Sequence, residues 1–128
     1  MEYVVEYGQD GKYIFASATG VWDPAIDNAM VGQILEMVDS TGVLKVLLDI
    51  HELQFNLPIV RIFERAKEMR EARRQFGKTS LKAAIVYSAD NAKLEEDMIF
   101  FETASRNRGL PYRAFKNMDA AIAWLIDS

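Results

Sequence analysis

The fold is decided by the stretch Leu44-Lys45-Val46-Leu47-Leu48-Asp49-Ile50, a nearly continuous apolar run. A strand with one solvated face alternates apolar and polar residues, whereas a strand covered on both faces is apolar almost throughout. The run therefore predicts a central strand of a parallel sheet. A second apolar run, Leu81–Tyr87, predicts another buried strand of the same kind.

Helical patterns separate these strands from their neighbours. Upstream, Asp23 is a good N-cap, Pro24 suits the first helical position, and Gly42 ends the helix. Further on, the chain predicts a helix from about Pro58 to Phe76, a helix from Asp90 to Arg108, and a last helix that begins at Met118 after the cap Asn117. Strands that alternate with helices imply parallel pairing through right-handed crossovers.

Both ends of the chain add strands to this sheet. The segment Tyr3–Tyr7, the turn Gly8-Gln9-Asp10-Gly11 and the segment Lys12–Ala18 predict an opening hairpin, and Tyr112–Phe115 predicts a short strand near the end. The order is β-β-α-β-α-β-α-β-α. The sequence thus predicts one α/β domain over residues 1–128, with a mixed, mostly parallel sheet, one antiparallel edge strand and about four helices.

Composition narrows the class of protein. The chain has no cysteine, which removes disulfides and thiolate chemistry, and its net charge of −4 argues against nucleic acid as a partner. No apolar stretch is long enough to span a bilayer, and the first residues lack the basic and apolar regions of a secretory signal. We therefore expect a cytoplasmic protein without an integral membrane segment.

Three stretches carry a resemblance to a known family. They are Arg106-Asn107-Arg108-Gly109-Leu110-Pro111-Tyr112-Arg113-Ala114-Phe115, then Met118-Asp119-Ala120-Ala121-Ile122-Ala123-Trp124-Leu125, and the strand Val46-Leu47-Leu48-Asp49-Ile50 with Phe55 a few residues later. Together they resemble the STAS domain, and in particular its SpoIIAA-like branch of anti-anti-sigma-factor-like proteins. The resemblance implies the SpoIIAA-like fold and a non-enzymatic regulatory module that binds a protein partner.

The chain departs from that family at one functional position. Anti-anti-sigma proteins carry an Asp-Ser or Ser-Ser phosphoacceptor just after the phenylalanine that corresponds to Phe55. Here the stretch reads Asn56-Leu57-Pro58-Ile59 and contains no hydroxyl. We expect the usual kinase switch to be missing there.

Asp49, His51, Phe55 and Asn56 form a candidate ligand site, because ligands of open α/β sheets gather beyond the carboxyl ends of the strands. The string Leu47–Ile50 also resembles the phosphoacceptor strand of response-regulator receivers, with Asp49 as acceptor. A receiver needs a further acidic pair for Mg²⁺, and the second strand ends in Ala18-Thr19-Gly20-Val21 without acid. The interpretation we favour is that Asp49 accepts backbone N–H groups of the following loop.

The sequence contains no recognisable motif of a catalytic, metal or cofactor site. His51 is the only histidine, no Gly-x-Ser-x-Gly elbow accompanies it, and the glycines form no phosphate-binding loop. One histidine without cysteine leaves no tetrahedral metal site. We expect no enzyme activity, no metal and no cofactor.

Charge is distributed unevenly along the chain. Eight basic and three acidic residues lie between Arg61 and Lys82, so this segment carries +5; since the whole chain carries −4, the remainder carries −9. Most of the segment reads as a solvated helix face of mixed charge. Arg73, Arg74, Lys78 and Lys82 have few acidic neighbours in sequence and form a candidate anion-binding patch.

The best interaction signal is the run Met98-Ile99-Phe100-Phe101 in the predicted third helix. Four consecutive apolar residues point all round a helix, so they cannot all face one sheet. Ile99 and Phe100 are the candidate interaction surface, for a homodimer or another protein; burial against a neighbouring helix is the alternative. A small apolar-ligand or lipid carrier is the second functional hypothesis that stays open.

Overall fold

The computed structural model describes residues 1–55, 81–88, 92–107 and 111–127. Within them lie strands β1 (Glu2–Tyr7), β2 (Ile14–Val21), β3 (Lys45–Gln54), β4 (Lys82–Val86) and β5 (Tyr112–Phe115), and helices α1 (Pro24–Thr41), α2 (Ala92–Asn107) and α3 (Met118–Ile126). The predicted helix from Pro58 to Phe76 lies outside the described residues.

The five strands form one sheet in the order β1-β2-β3-β4-β5. Strand β1 pairs antiparallel with β2, and the other three pairings are parallel. The predicted α/β class, with a mostly parallel sheet and an antiparallel edge strand from the opening hairpin, is confirmed.

Helix α1 begins and ends where its capping residues predict. Asp23 Oδ1 accepts hydrogen bonds from the backbone N–H groups of Ala25 (2.9 Å) and Ile26 (3.3 Å), which have no partner within the helix. At the other end Gly42 adopts φ 76°, and its N–H donates to the Val38 carbonyl oxygen at 2.9 Å. A residue with a side chain is strained at that φ, so glycine there ends the helix.

Helices cover both faces of the sheet. Helices α1 and α2 pack on one face, where their buried residues Met30, Ile34, Val38, Met98 and Ala104 join Ile14, Ala16, Val46, Ile50 and Ile85 of the strands. Helix α3 packs on the other face, where Ala121 and Leu125 contact a cluster with Tyr13, Leu47, Ala84 and Val86. Right-handed crossovers between successive parallel strands put α1 and α2 on the same side.

The boundaries of two strands differ from the sequence prediction by more than one residue. Strand β2 runs over Ile14–Val21 and not Lys12–Ala18, and β3 continues four residues past Ile50 to Gln54. The extended ends of β2 and β3 pair with each other, as Val21 does with Gln54, so each extension is stabilised by the other. The predicted turn at Gly8–Gly11 contains a short 3₁₀ turn, in which Asp10 has φ 53°.

Candidate functional site

Asp49 and His51 lie side by side in strand β3. Asp49 Oδ1 accepts a hydrogen bond from the His51 backbone N–H at 3.1 Å and lies 2.6 Å from His51 Nδ1. The Asp49 side chain is only 10% exposed, whereas that of His51 is 52% exposed. Asp49 thus accepts a backbone N–H group, as the favoured interpretation predicts. The donor differs from the prediction, because His51 belongs to strand β3 and not to a following loop.

The apolar run Leu44–Ile50 predicts a strand with Asp49 near its end, and this placement is wrong, because β3 extends five residues beyond Asp49. The strand contains an irregularity at this point: Ser17 pairs with Asp49, but Thr19 pairs with Glu52, so β3 has one more residue than β2 in this interval. This is the pattern of a β-bulge. Its effect is visible in the core, since Ile50 and Leu53 both contact the α1 face although they are three residues apart.

The bulge explains why the carboxylate and the imidazole meet. It interrupts the regular ladder of β3, and the Asp49 carboxylate accepts the N–H group of His51 at that point. The same oxygen then holds the ring by its Nδ1 atom. This hydrogen bond raises the pKa of His51 above its usual value, against a smaller lowering by burial, and the charges of Asp49 and Glu52 add to the increase.

The pair fixes which nitrogen of His51 faces outward. With Nδ1 held by Asp49, Nε2 lies on the exposed side, 3.5 Å from Glu52 Oε1. Such a ring binds its proton more tightly than an imidazole without a carboxylate partner. Metal binding needs more ligands, and across the described ranges no three histidine, aspartate or glutamate side chains lie close enough to hold an ion.

Phe55, a further residue of the predicted site, is not brought to this pair. Phe55 follows β3 directly and packs, partly buried, against the core on the α1 face. Asn56 lies outside the described residues. The structure thus joins Asp49 with His51 and Glu52, and puts Phe55 near the end of the strand, where the Trp22 N–H donates to the Gln54 carbonyl oxygen at 2.9 Å.

The predicted interaction surface on α2 has exposed apolar side chains. Ile99 is 58% exposed and Phe100 is 37% exposed, while Met98 is 96% buried. The side chains of Leu94 and Phe101 are outside what the structure describes. A surface role for Ile99 and Phe100 stays a prediction.

Lys82, the last residue of the predicted anion patch, has a defined position. Its ammonium donates to the carbonyl oxygens of Trp124 (2.6 Å) and Asp127 (2.8 Å), at the C-terminal end of α3. Burial lowers its pKa, and the nearby charge of Lys45 adds to the decrease. The other three members, Arg73, Arg74 and Lys78, fall outside the described residues, so the patch stays a prediction for them.

A third group of polar side chains was missed by the sequence analysis. At the carboxyl end of β4, Tyr87 is buried, and burial raises its pKa, with the charge of Glu95 adding to the increase. Glu95 Oε1 accepts a hydrogen bond from Lys116 Nζ at 2.5 Å, which raises the pKa of Lys116. Tyr87 directly follows β4, Glu95 lies in α2 and Lys116 directly follows β5, and no spacing along the chain signals their proximity.

None of the helices in the described part of the chain is long and apolar enough to span a membrane.

Comparison with known proteins identifies the fold. No protein-family model matches the chain, and no curated protein matches it. The solved structures that are similar to this chain include two that match it over nearly the whole length. One is an anti-sigma factor antagonist from Mycobacterium paratuberculosis, with a TM-score of 0.61 at 9% identity over 98% of this chain and 96% of that one. The other is an uncharacterized protein with a SpoIIAA-like fold from Shewanella loihica, with a TM-score of 0.60 at 19% identity over 97% of this chain and 92% of that one. The chain therefore has the SpoIIAA-like fold that the sequence predicted.

Proposed function

We propose that this protein is a non-enzymatic regulatory module that binds a protein partner and is not switched by serine phosphorylation. The observation that carries the proposal is the end-to-end likeness to an anti-sigma factor antagonist, which covers 98% of this chain and 96% of the other. Because both chains are covered almost completely, the likeness is not confined to a motif that many α/β proteins share. The proposal implies a cytoplasmic protein.

The lack of a phosphoacceptor supports the proposal that the protein is not switched by serine phosphorylation. In the anti-anti-sigma proteins that this chain resembles, a serine after the residue equivalent to Phe55 receives phosphate. The residues Asn56-Leu57-Pro58-Ile59 offer no hydroxyl oxygen as an acceptor. A module of this kind binds its partner constitutively, and its activity depends on its abundance or on a different signal.

A receiver-like role for Asp49 is disfavoured by topology and geometry. Doubly wound folds of the receiver type have parallel strands in the order 2-1-3-4-5. Here the order is β1-β2-β3-β4-β5 with β1 antiparallel. Asp49 is nearly buried and its Oδ1 is occupied by His51.

The presence of an apolar cavity supports the carrier hypothesis, but the small volume of this cavity argues against it. A cavity between α1 and the sheet is lined by apolar side chains, among them Ile34, Leu48 and Tyr112. Its volume is about 40 Å³, whereas sites for small molecules measure roughly 300–1,000 Å³. Native mass spectrometry after gentle purification checks this alternative, since a carrier retains its ligand.

The proposal is tested with the anti-sigma factors encoded in the organism that makes this protein. Each is titrated with the purified chain by calorimetry, with and without ATP. We expect one of them to bind with the same affinity in both conditions, and the chain to gain no phosphate by mass spectrometry. Binding to none of them, or a phosphopeptide from Asn56–Ile59, contradicts the proposal.

A substitution that restores the missing hydroxyl sharpens this test. Leu57→Ser puts a serine within the stretch in which the family carries its phosphoacceptor. We expect this variant to accept phosphate from a kinase-type anti-sigma factor and then to bind it more weakly. Leu57→Ala is the matched control, because it removes the same side chain without supplying a hydroxyl.

A further inference from the structure

Helix α2 presents an ordered stripe of exposed residues to solvent. Glu96, Ile99, Thr103 and Arg106 are all exposed, and their spacing of three, four and three residues puts them on one side of a helix. The residues on the opposite side are buried: Asp97 is 3% exposed, Met98 4% and Ala104 5%. The stripe therefore faces away from the body of the protein.

The position of α2 leaves this stripe accessible to another molecule. The helix packs beside β5, an edge strand of the sheet, and Glu102 Oε2 accepts the Ala114 N–H of that strand at 3.1 Å. Glu102 lies on the β5 side of the helix. No described element covers the solvent side, where Ile99 is 58% exposed.

The charges of the stripe are arranged in two halves. Its N-terminal end is acidic at Glu96, its C-terminal end is basic at Arg106, and its centre carries Ile99 and Thr103. If a second copy of the same helix lies antiparallel against it, centred at residue 101, each Glu96 is level with Arg106 of the other copy. Each Ile99 is then level with Thr103 of the other copy. In a parallel arrangement Glu96 lies beside Glu96 and Arg106 beside Arg106, which is repulsive.

From this self-complementary pattern we infer that α2 is the interface of a homodimer, in which two copies of the helix pack antiparallel about a two-fold axis. A two-fold axis makes every contact occur twice, so one Glu96–Arg106 match gives two ion pairs. In the antiparallel packing the two helix dipoles point in opposite directions, which is electrostatically favourable.

Arg106 is able to hold a carboxylate of the second copy while keeping its own. Its Nη2 donates to Glu102 Oε1 at 2.8 Å, and its side chain is 69% exposed. A guanidinium group has five N–H donors in a planar fork, so the internal pair leaves donors for Glu96 of the other chain.

The size of the contact sets the expected affinity. A single pair of helices of this length covers less surface than the roughly 1,200–2,000 Å² of a stable complex. The dimer is therefore weak and reversible, and the measurement has to reach high protein concentration. The inference goes beyond the proposed function, because a dimer through α2 forms whether or not an anti-sigma factor binds elsewhere.

The experiment is sedimentation equilibrium of the wild type and of four variants. Glu96→Arg and Arg106→Glu each break both ion pairs and create repulsion, so each should raise the dissociation constant about tenfold. The double variant Glu96→Arg/Arg106→Glu restores opposite charges and should regain most of the affinity. Glu36→Arg, on an exposed position of α1, changes the net charge by the same amount as Glu96→Arg and should leave the dissociation constant unchanged.

The results of these measurements distinguish the antiparallel dimer from a monomer and from other dimer arrangements. A wild type that is monomeric at the highest concentration overturns the inference. Single variants that dimerise like the wild type, or a double variant that is weaker than both, rule out the antiparallel contact. Neither result bears on the calorimetric test of partner binding, so the two proposals fail separately.

Disulfide trapping provides a second measurement that does not depend on charge. The chain has no cysteine, so introduced cysteines are the only thiols. Ile99→Cys mixed with Thr103→Cys should form a mixed disulfide dimer more readily than either variant alone. In the antiparallel register, residue 99 of one copy lies about 6 Å along the helix axis from residue 99 of the other copy, but level with residue 103. Equal trapping in the unmixed variants contradicts the antiparallel register.

Discussion

Lys82 Nζ lies 4.3 Å from the centroid of the Trp124 indole ring and donates to the Trp124 carbonyl oxygen at 2.6 Å. Its neighbour in the adjacent strand, Lys45, donates to the Ile126 carbonyl oxygen at 3.2 Å. Two lysines from paired strands thus bind the last carbonyl groups of α3. Cations stabilise this end of a helix, and the indole face attracts the ammonium as well.

Replacing Lys82 therefore weakens the attachment of α3 to the sheet. Lys82→Met keeps an apolar chain of similar length but removes the ammonium and both hydrogen bonds. We expect the free energy of unfolding to fall by about 1.5–3 kcal/mol, the range for hydrogen bonds to charged groups. Urea denaturation followed by circular dichroism measures it. Lys12→Met, at an exposed position, is the control, and an equal effect of the two changes contradicts the assigned role.

The Asp49–His51 pair predicts a raised pKa for the imidazole. His51 is the only histidine of the chain, so one Hε1 resonance in a proton NMR titration reports it directly. We expect a midpoint above about 6.5, the usual value, because the Asp49 hydrogen bond favours the protonated ring. Asp49→Asn should lower the midpoint. An identical midpoint in the variant shows that the carboxylate does not hold the ring in solution.

The same pair predicts a small dependence of stability on pH. A pKa raised by folding means that the native state binds the proton more tightly than the unfolded state. The stabilisation is therefore complete below about pH 6.5 and is lost as the pH rises through the raised pKa of His51. Since the ring is 52% exposed, the difference between wild type and His51→Gln should stay below about 1 kcal/mol. Urea midpoints of both proteins from pH 5.5 to 8.5 measure it, and a difference that grows with pH contradicts the sign.

Local signals in the sequence are sufficient to predict α1 and the positions of the apolar strands along the chain. Asp23, Pro24 and Gly42 act through hydrogen bonds and backbone angles within a few residues of themselves, so their effect is readable without the rest of the fold. The apolar strand cores were found for a similar reason, because burial on both faces leaves a continuous apolar run.

The end of β3 could not be predicted in this way. Residues His51-Glu52-Leu53-Gln54 are mostly polar, and they form a strand because β2 extends alongside them. The bulge at the same point depends on the register between the two strands. Both features follow from pairing across the sheet, and therefore the position of Asp49 within the strand was wrong while its hydrogen bond to the backbone was foreseen.

The roles of Lys82 and Lys116 escaped prediction because their partners are distant in sequence. Lys82 contacts Trp124, and Lys116 pairs with Glu95. Segment charge alone suggested an anion patch for Lys82, although its ammonium lies against the carbonyl groups of a helix end. A count of neighbouring charges along the chain cannot distinguish these two environments.

Leu125 should be among the residues on which stability depends most. It is fully buried on the α3 face of the sheet, beside Ala121. Truncating such a side chain costs about 2–5 kcal/mol, since it leaves a cavity. Ile126→Ala is the matched control on the next residue, which is 38% exposed, and should cost less than about 1 kcal/mol. An unchanged denaturation midpoint for Leu125→Ala contradicts the placement of α3.

The Asp49–His51 pair should not make the protein a hydrolase or transferase. A carboxylate-held imidazole provides a base, but nucleophilic catalysis also needs an activated nucleophile within hydrogen-bond reach. Among the described residues His51 contacts the carboxylates of Asp49 and Glu52, and neither side chain carries a nucleophilic hydroxyl. A broad screen with esterase, phosphatase and nucleotidase substrates should give no turnover. Activity that disappears in both Asp49→Ala and His51→Ala shows that this prediction is wrong.

Glu102 protects the edge of the sheet. Its Oε2 accepts the backbone N–H of Ala114 in β5 at 3.1 Å, and its Oε1 accepts Arg106 at 2.8 Å. Edge strands have outward backbone groups that pair readily with other chains, and covering them is a common way to prevent aggregation. In this chain α2 covers that N–H group with a carboxylate.

Removing this carboxylate should open the edge at one amide. In Glu102→Ala the Ala114 N–H loses its acceptor, at a cost of about 1–2 kcal/mol, and its hydrogen exchange should accelerate about tenfold or more. Glu102→Gln keeps an acceptor oxygen and should retain most of the protection. Glu36→Ala, exposed on α1, controls for the loss of a surface carboxylate. NMR-detected exchange resolves the single amide. If Ala114 exchanges at the same rate in Glu102→Ala and in Glu36→Ala, the helix does not protect this edge through Glu102.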